Sequence, residues 1–140
     1  MENKNKIILV EDDPGDRKLV KMIINELLTE DQIELIILKD GSEALSFFEG
    51  INEFDNEMLV IMDINLPLIS GHELLKYITS NKFCKHCFTV MLTTSNSQND
   101  INIAFENNAS GYFRKPSTID QLENTIKTII NYWLLTYKHN

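Results

Sequence analysis

Cysteine is scarce in this chain, with residues 84 and 87 the only two in 140 residues. Two thiols cannot supply the bridges of a disulfide-built scaffold. Their C-x-x-C spacing is shared by redox pairs and by half zinc sites. A structural zinc needs four ligands, and only His86 lies in the same segment, with His72 some way upstream. A thioredoxin-like pair would open a helix after a strand, whereas Cys84 and Cys87 precede an apolar run. They read as ordinary cysteines in a connecting loop of a protein kept reduced.

Long apolar runs are also missing: none approaches the roughly 20 residues a membrane-crossing helix needs. Met1 to Lys6 is polar and runs straight into a short apolar segment, so no signal peptide is expected and the cytoplasm is the default location. No cluster of Lys and Arg appears, and the formal net charge is −8. Nucleic-acid binding needs a basic face to neutralise phosphates, so neither nucleic acid nor membrane is an expected partner. Linkers, low-complexity tracts and internal repeats are absent. The length fits one domain, here 1–140 with a C-terminal helical extension at about 132–140. The 43% hydrophobic and 24% charged residues are those of a chain with a real core.

Short apolar runs alternate with longer amphipathic segments. Ile7 to Val10 reads as a buried strand bounded by acids, and Asp13-Pro14 opens a helix, since Asp is a favoured cap and Pro is tolerated at the first helical position. Its apolar face is predicted to carry Leu19, Met22, Ile23 and Leu27. Ile33 to Leu38 is a second strand, and the Asp40/Glu43 spacing starts a short helix through Phe47 and Phe48. Met58 to Met62 is a third strand ending at Asp63. Ser70 and Glu73 frame a helix with Leu74, Leu75 and Ile78. Phe88 to Leu92 is a fourth strand, followed by a helix around Ile101 to Phe105; Gly111 to Phe113 is a short fifth. Thr118 and Gln121 cap a last helix whose stripe is Ile119, Leu122, Ile126, Ile129 or Ile130, and Trp133. Five strands alternating with five helices predict an α/β protein with a parallel sheet covered on both faces.

In such sheets ligands sit beyond the carboxyl ends of the strands. The first strand ends in Glu11-Asp12-Asp13, the third in Asp63 and the fourth in Thr93; Lys115-Pro116 follows the fifth. Each has an ordinary explanation when taken singly. The acids could serve a helix N-terminus, Thr93 could be a strand-end hydroxyl and Lys115 a solvated charge. Asp63 is harder to dismiss, because a carboxylate ending a buried apolar strand needs partners to offset its desolvation. Lys-Pro also constrains the backbone after the fifth strand, with a cis bond among the possibilities. Carboxylates gathered in one pocket repel unless a cation joins them. Mg²⁺ is the natural cation for oxygen ligands. With a lysine and a hydroxyl added, these are the parts for holding a phosphoryl group.

The stretches V-E-D-D-P at 10–14, M-D-I-N-L-P-L-I-S-G at 62–71, M-L-T-T-S at 91–95 and G-Y-F-R-K-P at 111–116 resemble the CheY-like receiver superfamily over nearly the whole chain. Without a second domain, the chain is similar to single-domain regulators, including those paired with phytochrome-type kinases. The resemblance implies a (βα)5 fold of strand order 2-1-3-4-5. It implies Asp63 as phosphoryl acceptor from a histidine kinase or phosphotransfer protein. Asp12 would ligate Mg²⁺ directly, Glu11 mainly through water, with Asp63 and the Asn65 backbone carbonyl completing the protein's ligands. Lys115 would neutralise the acyl phosphate and Thr93 would hydrogen-bond a phosphoryl oxygen. Tyr112 matches the aromatic that changes burial as the threonine moves, and Gly71 the glycine that lets the loop turn. Output would run through contacts with a downstream protein, so the chain is a switch rather than a conventional enzyme.

Two positions depart from the common pattern. Ser117 stands where Phe is frequent, and Thr94 is larger than the usual Ala or Gly, so it is expected to narrow water access to the phosphoryl group. Trp133, Leu134, Leu135 and Tyr137 make the C-terminus apolar enough to suggest a contact surface, a homodimer being one reading. Two rival functions fare worse. A haloacid-dehalogenase-type enzyme needs a second Asp two residues after the first, and Asn65 stands there. A flavin-binding module would want a phosphate loop after the first strand, where three acids would repel phosphate.

Overall fold

The computed structural model describes residues 5–28, 33–55 and 57–136. The chain alternates strictly between strands and helices: β1 (Asn5–Val10), α1 (Pro14–Leu27), β2 (Ile33–Leu38), α2 (Gly41–Glu49), β3 (Met58–Met62), α3 (Gly71–Ser80), β4 (Phe88–Thr93), α4 (Gln98–Glu106), β5 (Gly111–Arg114) and α5 (Ile119–Leu135). Each helix begins where a side-chain oxygen can take an orphan backbone N–H. Asp13, Asp40, Ser70, Ser97 and Thr118 accept from Asp16, Glu43, Glu73, Asp100 and Gln121 respectively. Each such cap contributes about 1 kcal/mol.

The strands form one parallel sheet in the order β2-β1-β3-β4-β5. Alternate residues point to opposite faces, and both faces are covered. Ile8, Val10, Val60, Met62 and Met91 pack with Phe48 of α2, Leu74, Leu75 and Ile78 of α3, and Ala104 of α4. Ile7, Leu9, Leu59, Ile61, Val90 and Leu92 pack with Val20, Ile23 and Ile24 of α1 and Leu122, Ile126, Ile129, Ile130 and Trp133 of α5.

Several expectations need correction. Met22 of α1 is half-exposed, and Val20 and Ile24 take the buried positions instead. Ile119 lies on the solvent side of α5. α5 runs unbroken through Leu135 and buries Trp133 completely, so Trp133 is core rather than contact surface. Tyr132, Leu134 and Leu135 are the exposed apolar residues of this stretch, while Tyr137 and the rest of 137–140 lie outside the described residues. The Lys115–Pro116 bond is trans, as are all peptide bonds among the described residues. Trans is the ordinary preference of X–Pro, and it lets Lys115 continue the sheet by donating its N–H to the carbonyl of Thr93 at 2.7 Å.

Cys84 and Cys87 are buried and unpaired with each other. Their thiols donate to the carbonyls of Ile78 and Asp55, at 3.7 and 3.0 Å. Burial, with the charge of Asp55 behind it, pushes Cys84 up to about 11, so it is a structural thiol rather than a nucleophile.

Candidate functional site

The switch in strand order puts β1 between β2 and β3, and the crevice at its carboxyl end is where a ligand belongs. Register decides what meets there. Val10 pairs with Met62, so Glu11 and Asp63, each one residue further on, emerge side by side. The Asp63 N–H reaches the Val10 carbonyl at 3.4 Å. Gly71 closes the crevice from below: a Cβ there would stand 2.2 Å from the carbonyl oxygen of Asp63 and 2.7 Å from the Ile64 Cα. Only glycine lets α3 start this close to the acceptor strand.

Glu11 and Asp63 are only 3% and 9% exposed, and Thr93 is fully buried. Between the two carboxylates stands the ammonium of Lys115. It donates to Glu11 Oε1, and to Asp63 Oδ2 and Asp16 Oδ2 at 3.1 Å each. Asp63 Oδ1 accepts from the Asn65 N–H at 3.2 Å, and Glu11 Oε2 from the Asp13 N–H at 3.3 Å. The Arg17 guanidinium donates to the carbonyls of Glu11 and Asp12, fixing the backbone of the acidic turn.

Burial raises the Glu11 carboxyl above its usual range despite the lysine bond that lowers it. Lys115 is pulled down by burial, but its bond to Glu11 and the charges of Asp63 and Glu11 outweigh that and push it up. Both directions follow from one cation shared by several acids.

A second network continues from Thr93. Thr93 Oγ1 accepts from the Ser95 N–H at 3.3 Å, and the Tyr112 hydroxyl donates to the Ser95 carbonyl at 2.9 Å. The Ser95 hydroxyl donates to Asp100 Oδ2 at 2.6 Å, and His72 Nε2 lies 3.1 Å from Asp100 Oδ1. The Asp100 carboxyl is lowered first by the Ser95 hydroxyl and then by His72. Tyr112 is half-buried and Thr94 exposed.

The expected set therefore divides. Glu11, Asp63 and Lys115 are in direct contact, and Thr93 is joined to Lys115 through the backbone. Asp12 is half-buried, and its carboxylate has no hydrogen-bond or ion-pair partner among the described residues. Among those residues, no three acidic, His or Cys side chains surround a common point suited to a metal. The donor chemistry nevertheless suits a hard divalent cation. The Lys115 ammonium stands in for one, showing that a positive centre is accommodated between Glu11 and Asp63. Asp16 and Arg17 escaped the sequence reading. Asp16 sits in a first helical turn, where an acid already has a local explanation.

A profile for the response regulator receiver domain matches residues 7–127. Response regulator Rcp1 of Synechocystis sp. is 33% identical over 133 residues, covering 93% of this chain and 89% of that protein. Chemotaxis protein CheY-3 of Vibrio cholerae is 31% identical over 128 residues, covering 91% and 93%. Among solved structures, the phosphorylated cyanobacterial phytochrome response regulator RcpA superposes with a TM-score of 0.86 at 28% identity, covering 99% of this chain and all of that one. The Mn²⁺-bound form of Rcp1 gives 0.82 at 33% identity, covering 95% and 96%.

Proposed function

Because the chain belongs to the response regulator receiver domain family, we propose that Asp63 is its phosphoryl acceptor and that Glu11, Asp12, Asp63 and the Asn65 carbonyl hold Mg²⁺. The chain is a receiver domain of two-component signal transduction, and the Mn²⁺-bound form of its relative Rcp1 supports divalent-metal binding at this edge. The observation that carries the residue assignment is the Lys115 ammonium lodged between two buried carboxylates at the carboxyl edge of the sheet.

An Asp63 carboxylate oxygen forms the new bond to phosphorus as the P–N bond of a kinase or phosphotransfer phosphohistidine breaks, and the imidazole leaves with the electron pair. Lys115, bonded to Asp63 Oδ2, is the protein cation that would neutralise the incoming phosphoryl oxygens. The Thr93 hydroxyl, 0% exposed, supplies a donor once it turns toward them. Mg²⁺, when bound, supplies the remaining neutralisation of the phosphoryl oxygens. The chain thus promotes only its own phosphorylation and dephosphorylation, in the cytoplasm, and signals by contact. Movement of Thr93 pulls on Ser95, to which the Tyr112 hydroxyl and Asp100 are bonded. A phosphoryl group therefore biases a two-state arrangement of the β4–α4 loop.

Incubation with acetyl phosphate and Mg²⁺ should give an acid-stable, base-labile phosphoryl mass gain, which Asp63→Asn abolishes and chelation prevents. A gain that survives the substitution would refute the assignment. Thr94, exposed next to Thr93, is assigned to restricting water. Thr94→Ala should shorten the acyl-phosphate lifetime several-fold in a decay assay; an unchanged lifetime removes Thr94 from the mechanism.

A further inference from the structure

Lys115 presents three N–H donors, and each has its own carboxylate: Glu11 at the end of β1, Asp63 at the end of β3 and Asp16 in the first turn of α1. A divalent ion held by Glu11 and Asp63 would bring its charge to the same two carboxylates that Lys115 bonds. Two cations crowded onto one pair of carboxylates would repel, so metal entry would favour release of Glu11 by Lys115. Its destination then matters. An ammonium released to solvent would be lost to the phosphoryl group it is meant to neutralise.

Asp16 is suited to hold it. Its carboxylate has no partner other than Lys115 among the described residues, and it is not among the ligands proposed for the metal. Its backbone is fixed by the helix cap, the Asp16 N–H donating to Asp13 Oδ2 at 2.8 Å. At 47% side-chain exposure it keeps contact with solvent, whereas Glu11 is 4% exposed. Asp16 therefore meets water on one side and the lysine on the other, whereas Glu11 is shut away from solvent.

Resting on the reading above, we infer that Asp16 is a positioning residue for Lys115, drawing the ammonium off Glu11 so that the divalent ion can bind while keeping it beside Asp63. Its effect on metal binding runs through the lysine. Mg²⁺ binding to the full chain, followed by calorimetry, tests this with a double-mutant cycle. Asp16→Asn should weaken Mg²⁺ binding about fivefold, because Lys115 then competes harder for Glu11, and Asp16→Glu should restore most of the affinity. In a Lys115→Met background the Asp16→Asn effect should disappear. Lys115→Gln, whose amide still satisfies buried carboxylates, serves as the background if Lys115→Met does not fold. If Asp16 acted only as one more negative charge near the metal, the loss would be equal in both backgrounds, and the inference falls. It falls equally if Asp16→Asn binds Mg²⁺ as the unaltered chain does. If the unaltered chain binds no Mg²⁺ at all, the metal site proposed above fails and this inference with it.

Discussion

Replacing Trp133 with alanine should lower the unfolding free energy by about 3–5 kcal/mol, the usual cost of deleting a large buried aromatic. Trp133 is fully buried on the last turns of α5, in the layer that also holds Val20, Ile23 and Ile24 of α1 and Leu59 and Ile61 of β3. Its indole fills space that no neighbour can reach, so truncation adds an unfilled cavity to the lost apolar burial. Domains of this kind hold roughly 5–15 kcal/mol in total, so the loss is a substantial share of that stability and at the lower end all of it. Urea titration followed by far-ultraviolet circular dichroism measures this; fluorescence is unsuitable because Trp133 is the only tryptophan. A midpoint within experimental error of the unaltered chain would mean that α5 ends before Trp133. The same argument predicts that shortening the chain before residue 133 unfolds it.

Lys115→Met should be nearly as damaging in metal-free buffer at neutral pH, by roughly 3–5 kcal/mol, because it removes the cation from two buried acids and leaves their charges uncompensated. The loss should depend on pH in a defined direction. Glu11 has a folded-state pKa raised by burial. Stability from such a group is complete below its ordinary carboxylate value and drains away as pH rises through the raised one. The lysine bond is what limits that rise in the unaltered chain. Without it the shift grows, and the variant's stability falls more steeply with pH. Lys115 itself is raised above its ordinary value, so its own contribution is constant throughout the acid and neutral range. Denaturation midpoints at about pH 5 and pH 7.5 should therefore show a gap between variant and parent that narrows on acidification. An equal gap at both pH values would mean that Glu11 is not the group left stranded.

Much of the architecture could be read from the sequence, because parallel strands buried on both faces leave short uninterrupted apolar runs. The bounds of β2 and β3 came out as expected. The caps at Asp13, Asp40, Ser70 and Thr118 were legible because the bond that makes them is local. Which face of a helix is buried was harder to read. Met22, Val20 and Ile24 are all apolar, and only the packing of α1 against the sheet decides that Met22 stays out. Asp16 was hidden for a different reason. Its partner lies 99 residues away, and the first helical turn already accounts for an acid, so nothing local distinguishes it from a solvated charge. Gly41 was passed over similarly. A Cβ there would meet the Ile69 carbonyl oxygen at 2.0 Å, a constraint imposed by a loop far along the chain.

α4 has a single buried residue, the alanine at 104, whereas α5 buries five. The two helices thus differ greatly in how much work it takes to lift them off the strands. A tug on the loop entering α4 works against one fully buried methyl, the half-buried Ile101 and Ile103, and the contact of Asp100 with His72, compared with five buried side chains on α5. On the reading proposed above, α4 is the helix whose displacement a partner would sense, read against the more deeply packed remainder.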